Sequence, residues 1–211
     1  MMKMLSTSRA VALLFALSAF GASAQIVIGQ SADLSGPVAA SVKETIMGSQ
    51  LVIDQVNAQG GINGEQIEVI RLDDGLDAKR SLENTRILIE DKKVLALLLN
   101  RGTPNTLAVI PLLDKYGVAL VGPSTGAMAL HKPVQKNIFN VRSTYQREAE
   151  KAVQHLHTTG IQRIAVVQAD DSFGKDAMEG ASKGFEKAGI TPAVLALADR
   201  SKPDYSTIVP Q

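Results

Sequence analysis

The stretch Val94-Leu95-Ala96-Leu97-Leu98-Leu99-Asn100-Arg101-Gly102-Thr103-Pro104 decides the fold. Its leading run of aliphatic residues suits a strand buried on both faces, as in parallel sheets covered by helices. Asn100 to Gly102 form a loop. Thr103-Pro104 then reads as a helix N-cap followed by proline at the first helical position. The helix is predicted to run to about Tyr116. Pro111 inside it removes a hydrogen bond and crowds the carbonyl of Leu107, so a kink is expected there. Strand, loop and helix in that order form half of a βαβ unit.

The same rhythm extends in both directions. Towards the N-terminus, strands are predicted at residues 26–31 and 66–72. A helix over 39–58 places Val42, Ile46, Ile53 and Val56 on one face and stops at Gly60-Gly61. A second helix over 78–91 turns Leu82 and Ile89 inward. Towards the C-terminus, strands are predicted at 118–121 and 138–141. Then come a helix over 145–159, a strand over 163–168, a helix over 173–188, a strand over 191–197 and a helix start at Asp204. The fold class is α/β. An open, doubly wound parallel sheet is expected over residues 25–142, and an incomplete second α/β unit over 143–211. With only two strands and few helices, that second unit is expected to expose sheet residues such as Ile164, Val166 and Val194.

Composition removes several function classes. The 211 residues carry 22 basic and 21 acidic side chains, a net charge of +1, so no basic excess points to nucleic acid. Cysteine is absent, which excludes disulfide scaffolds, thiolate metal sites, cysteine nucleophiles and iron–sulfur clusters. Tryptophan is absent and aromatics are 4%, a poor composition for stacking bases.

Residues 1–24 have the pattern of a secretory signal peptide. Lys3 and Arg9 supply the positive region, residues 10–20 an uncharged apolar stretch, and Ala22-Ser23-Ala24 the small-x-small cleavage pattern. The apolar run is short for a membrane span. Removal takes two positive charges with it and turns the net charge to −1. With no cysteine to carry a lipid, the product is expected to be exported, soluble and, in a bacterium with an outer membrane, periplasmic.

Ligands of open α/β sheets bind outside the carboxyl ends of the strands. Three such loops carry small polar residues: Asp33 to Pro37, Asn100 to Thr103, and Gly122 to Gly126. Hydroxyls, free amides and a helix N-terminus in one cleft suit a carboxylate. The same residues also serve ordinary turn and capping chemistry, and the pattern leaves both open. Gly122-Pro123-Ser124-Thr125-Gly126 matches the G-x-S-x-G nucleophile elbow of α/β-hydrolases. No histidine follows His157 and no aspartate lies between Ser124 and His157, so the partners of that serine are wanting. The first strand–helix turn lacks G-x-G-x-x-G. Asp73, Asp74 and Asp77 lack the spacing of a calcium loop and read as a solvated loop. His131, His155 and His157 do not form a metal set and read as surface residues. No catalytic residue, metal ligand or cofactor is assigned.

The chain resembles the leucine/isoleucine/valine-binding protein family, type I periplasmic substrate-binding proteins of ABC importers. The likeness rests on Ile26-Val27-Ile28-Gly29 leading to Leu34-Ser35-Gly36-Pro37. It continues with Asn57-Ala58-Gln59-Gly60-Gly61-Ile62-Asn63-Gly64, close to the family's N-A-x-G-G-I-x-G helix ending, and with Leu72-Asp73-Asp74. Tyr116-Gly117-Val118 then precedes Val121-Gly122-Pro123-Ser124-Thr125, and Asp170-Asp171-Ser172-Phe173-Gly174 resembles the family's D-x-x-(Y/F)-G strand exit. It covers essentially all of residues 25–211.

The resemblance implies a clamshell of two lobes that is not an enzyme and captures an amino acid or related small carboxylate for a membrane permease. A monomer is implied, without nucleic-acid partners. It places the ligand at Gly102, Thr103, Ser124 and Thr125, with Asn105 assisting and Tyr145 and Phe173 as walls. Arg101 departs from the small or apolar residues common in the family, and points either to solvent or to an anionic ligand. The family's second lobe continues beyond residue 211, so the chain reads as a fragment or a truncated product. A ligand-sensing module of the same fold serving a receptor is the alternative function, and an α/β-hydrolase ranks behind it. If residues 1–24 are an export signal, N-terminal sequencing of the exported protein should begin at Gln25; a soluble product that retains Met1 would contradict this.

Overall fold

The computed structural model describes residues 25–200 and 202–209. The export pattern of residues 1–24 lies outside them. Strand β1 (Gln25–Ala32) is followed by α1 (Ala39–Ala58), β2 (Gln66–Asp73), α2 (Ala78–Glu90), β3 (Ala96–Leu98), α3 (Thr103–Tyr116), β4 (Ala119–Val121), a short 3-10 turn (Met128–Leu130) and β5 (Ile138–Phe139). The five strands form one sheet in the order β2-β1-β3-β4-β5, every pairing parallel. The register sets Ile28 beside both Val69 and Ala96, so all strands end on the same edge. After α4 (Tyr145–Thr158), β6 (Ala165–Ala169) and β7 (Val194–Ala198) form a separate parallel pair around α5 (Ser172–Ala188), before the short α6 (Tyr205–Ile208). The predicted fifth strand is shorter than expected. Asn140 leaves the ladder, and its amide donates to the Leu130 carbonyl at 2.7 Å.

The core of the larger sheet lies under α2 and α3. Leu88, Leu97, Val109, Leu113, Leu120 and Leu130 are buried there. Among the described residues only α1 covers the other face, and Val121 and Phe139 remain exposed beyond it. The helix end Asn57 to Gly61 has a clear mechanical role. The Asn57 amide bonds both the N–H (2.8 Å) and the carbonyl (2.9 Å) of Ile67, locking α1 to the start of β2. Gly61 has φ +78 and lies against the Glu65 carbonyl, leaving no room for a side chain.

In the second unit, α4 and α5 pack on one face of β6–β7 around Val153, Ile164, Ala181 and Phe185. The expectation about exposure is corrected here. Ile164 is buried and Val166 and Val194 are partly covered, while Val167 (57%), Leu195 (49%) and Leu197 (58%) face solvent. Both faces of these strands are apolar, so alternation alone could not assign the helices to one of them. The two units meet where the Tyr145 N–H donates to the Gly126 carbonyl at 2.7 Å and the Met128 N–H to both Asp176 carboxylate oxygens at 3.2 Å.

Two helical glycines predict opposite responses to one methyl group. In α1, a Cβ added to Gly48 would meet nothing within 4 Å, so Gly48→Ala should stabilise the chain by about 0.5–1 kcal/mol. In α5, Gly180 lies against the backbone of Gln146, so Gly180→Ala must push α4 and α5 apart and should cost about 1–3 kcal/mol. Urea unfolding of the two variants measures both signs.

Candidate functional site

The strand ends face one another across a cleft of about 360 Å³. Pro37, Gly75, Leu76, Pro104 and Asn105 line it from the larger unit, and Asp170, Asp171, Asp199 and Arg200 from the smaller. Each contribution follows the carboxyl end of a strand or starts the helix after it, which is where open α/β sheets leave backbone groups unpaired.

Three aspartates shape the near wall. The buried Asp33 carboxylate accepts from the N–H groups of Gly36 and, at 2.8 Å, Val38, ordering the approach to α1. Asp73 accepts from the Ser35 hydroxyl at 2.5 Å and from the N–H groups of Leu34 (2.8 Å) and Gly75 (3.0 Å). These bonds, the Ser35 hydroxyl foremost, lower its pKa. Asp74 points the other way and is fully buried, which corrects the solvated-loop expectation for this residue. It accepts from the Ser31 hydroxyl at 2.8 Å and the Leu76 N–H at 2.9 Å. Burial outweighs these donors and raises its pKa. Asp77 caps α2 by accepting from the Arg80 N–H at 2.8 Å. Among the described residues no group of His, Asp or Glu is arranged to hold a metal ion. His155 is exposed as expected, whereas His131 and His157 are partly buried.

At the start of α3 the expected cap is also corrected. The N-cap is Gly102, with φ +94, and no side chain caps the helix. Thr103 is already helical, and its hydroxyl shares a 2.7 Å hydrogen bond with that of Thr125, both groups buried. Proline at the following position restricts the preceding residue, but it did not hold Thr103 outside the helix. A Cβ on Gly102 would stand 3.1 Å from Leu76 Cδ1 and 3.2 Å from Asn105 Oδ1, so this corner is built for glycine. Arg101 turns back and donates to Ser124 Oγ at 3.1 Å.

Of the residues singled out by sequence, Asn105 lines the cleft directly. Gly102 touches Asn105 and Leu76, while Thr103, Thr125 and Ser124 form a hydrogen-bonded layer with Arg101. Tyr145 and Phe173 meet edge-to-face with centroids 4.9 Å apart. Phe173 carries the Arg200 guanidinium 4.7 Å above its ring, and Arg200 pairs with Asp171 at 2.7 Å, so Arg200 and Asp171 line the cleft while the two aromatics expected as its walls lie behind them. Asp171 also caps α5 by accepting from the Gly174 N–H at 3.0 Å. Leu76, Asp199 and Arg200 went unrecognised in the sequence. The position of Asp199 and Arg200 just after a predicted strand was the available signal.

A family model for periplasmic binding protein matches residues 25–211. The chain belongs to the periplasmic binding protein family. Its fold is that of the type I members. A substrate-binding periplasmic protein from Ralstonia solanacearum superposes with a TM-score of 0.81 at 30% identity, over 88% of this chain and 53% of that one. The Leu/Ile/Val-binding protein BraC3 of Rhizobium johnstonii is 27% identical over 89% of this chain and 51% of its own length. A solute-binding protein of an ABC transporter from Rhodopseudomonas palustris, solved with 3,4-dihydroxybenzoic acid, shares the fold with a TM-score of 0.79 at 20% identity, over 88% of this chain and 50% of its own. The chain spans about half the length of the curated relatives it matches. The family consists of substrate-binding proteins.

The buried carboxyl predicts a pH signature. With its pKa raised on folding, Asp74 binds a proton more readily in the folded than in the unfolded chain, so its stability contribution falls as pH rises from the ordinary carboxylate range through the raised value. Wild type should therefore lose stability relative to Asp74→Asn across that window. Urea unfolding at a series of pH values measures the difference, and a difference independent of pH would contradict the assignment.

Proposed function

We propose that this chain carries the ligand-gripping elements of an extracytoplasmic solute-binding protein that captures an amino acid or a related small carboxylate for an ABC importer. In this reading residues 25–142 form one lobe and 143–211 part of the second. The product acts in the periplasm after loss of residues 1–24 and hands its ligand to a membrane permease. The ligand site comprises Gly102, Thr103, Asn105, Ser124 and Thr125, with Tyr145 and Phe173 behind Arg200 and the cleft residues of both units added.

The observation that carries this reading is the polarity of the cleft. On one side stands the N-terminus of α3, without a side-chain cap, where backbone N–H groups and the helix dipole favour a carboxylate. Across from it, the exits of β6 and β7 bring Asp170, Asp171 and Asp199, with Arg200 beside them. A zwitterion matches both sides. Leu76, Pro37 and Pro104 supply apolar wall between them. The name of the relative from Rhizobium johnstonii supports an amino acid, and the ligand of the Rhodopseudomonas palustris protein keeps aromatic acids in the comparison.

Calorimetry with leucine and with 3,4-dihydroxybenzoate tests it. Leucine should bind more tightly, and Asp170→Asn should weaken leucine by about three- to tenfold, the scale of a charge pair at a solvated rim, while leaving the aromatic acid unchanged. Tighter binding of the aromatic acid, insensitive to Asp170, would overturn the zwitterion assignment.

A further inference from the structure

On the far wall of the cleft the protein holds a cation of its own between a carboxylate and an aromatic face. The Arg200 guanidinium stands 4.7 Å above the Phe173 ring and 2.7 Å from Asp171 Oδ2. Both partners are fixed without it. Asp171 gives Oδ1 to the Gly174 N–H at 3.0 Å as the cap of α5, and Tyr145 meets the Phe173 ring edge-to-face at an interplanar angle of 87°. A carboxylate beside an aromatic face suits an organic cation, because the ring quadrupole attracts positive charge and the carboxylate pairs with it.

Arg200 fills this place without being locked into it. A guanidinium in a permanent pair presents two parallel N–H groups to both oxygens of one carboxylate. Here Oδ1 is taken by the helix, and the Arg200 Nε and Nη2 groups, although shielded from solvent, align no hydrogen bond among the described residues. The pair is a contact of charges, and both side chains keep part of their surface in solvent, 28% for Arg200 and 24% for Asp171. Asp170 and Asp199 line the same cleft, so withdrawal of Arg200 leaves three carboxylates facing a ligand.

We infer that Asp171 and the face of Phe173 form a subsite for an organic cation, and that Arg200 is its built-in occupant, a tethered guanidinium that a ligand's ammonium or guanidinium group must displace. The contact is autoinhibitory, since it lowers affinity for such ligands. The competition with a ligand rests on the proposed solute-binding role; the subsite itself does not. The contrary role, in which Arg200 anchors a ligand's anionic group, predicts the opposite sign when the side chain is removed.

The test begins with methylguanidinium chloride, which has the shape of the end of an arginine side chain. Against sodium chloride at equal concentration, it should raise the melting temperature of Arg200→Ala saturably. It should not move wild type, nor Arg200→Ala combined with Asp171→Asn, where asparagine keeps the cap of α5. Calorimetry on the full chain then reads the competition. L-leucine should bind Arg200→Ala about three- to tenfold more tightly than wild type, the scale of a solvated ion pair and a cation–π contact together. Methylguanidinium, unlike sodium, should return that affinity to the wild-type value. Far-UV circular dichroism confirms folding, and Arg200→Gln, which keeps the stem without the charge, gives the sign of the leucine change if the alanine variant does not fold. Weaker or unchanged leucine binding overturns the inference and leaves the solute-binding reading standing. Tighter binding that methylguanidinium reverses no better than sodium is an effect of net charge alone and also overturns it. Methylguanidinium binding to Arg200→Ala, with no leucine binding to any form, supports the subsite and its occupant and overturns the amino-acid reading. Binding of neither probe overturns both.

Discussion

Parallel strands that end together leave a row of backbone N–H groups with no ladder partner, and satisfying that row is the constraint on which this cleft depends. Asp33, Asp73 and Asp74 meet it with short side chains that accept from the backbone within a few residues of the strand ends. Asp73 also takes the Ser35 hydroxyl, so the exits of β1 and β2 are tied to each other. Without these carboxylates the loops would have to bond water and could not hold a fixed wall. The cleft is thus as much a product of capping chemistry as of the helices behind it.

A related arrangement recurs at the start of α3. Gly102 caps by conformation alone, at φ +94, and the absence of a side-chain cap leaves the helix terminus facing the cleft. Thr103, whose hydroxyl would have closed that terminus as a cap, bonds Thr125 instead and ties β4's exit to α3. A helix end kept open beside an Asn105 that is buried and makes no side-chain hydrogen bond among the described residues is poorly explained by stability, since each feature costs free energy that a capped, apolar corner would not. Function is where such costs are usually found.

The far wall is built on different terms. Helices α4 and α5 approach so closely that Gly180 and Gly184 lie against backbone of the neighbouring helix, and this contact sets Asp171, Phe173 and, through them, Arg200. The opposite face of β6–β7 carries Leu195 and Leu197 into solvent. Parallel pairs are normally covered on both faces, so among the described residues the smaller unit is held from one side only.

By itself the sequence determined the alternation of elements, because aliphatic runs, helical spacing and glycine stops act over a few residues and need no partner. It also marked the β1, β3 and β4 exits as candidate ligand loops, since that follows from chain direction in a parallel sheet. Asn105 and the Asp170-Asp171 exit came from the family resemblance and not from chain direction. What only the tertiary structure decided were matters of direction and depth. Asp73 and Asp74 are chemically identical neighbours, yet strand alternation sends one to the loop and the other into the core. Thr103 and Gly102 are adjacent candidates for one cap, and the hydroxyl of Thr125, twenty-two positions away, settles which serves. Arg200 enters the cleft only because Asp171 and Phe173, at the start of α5, hold its guanidinium in place. Local pattern specifies where the chain turns; which atoms then meet depends on contacts between segments far apart in sequence.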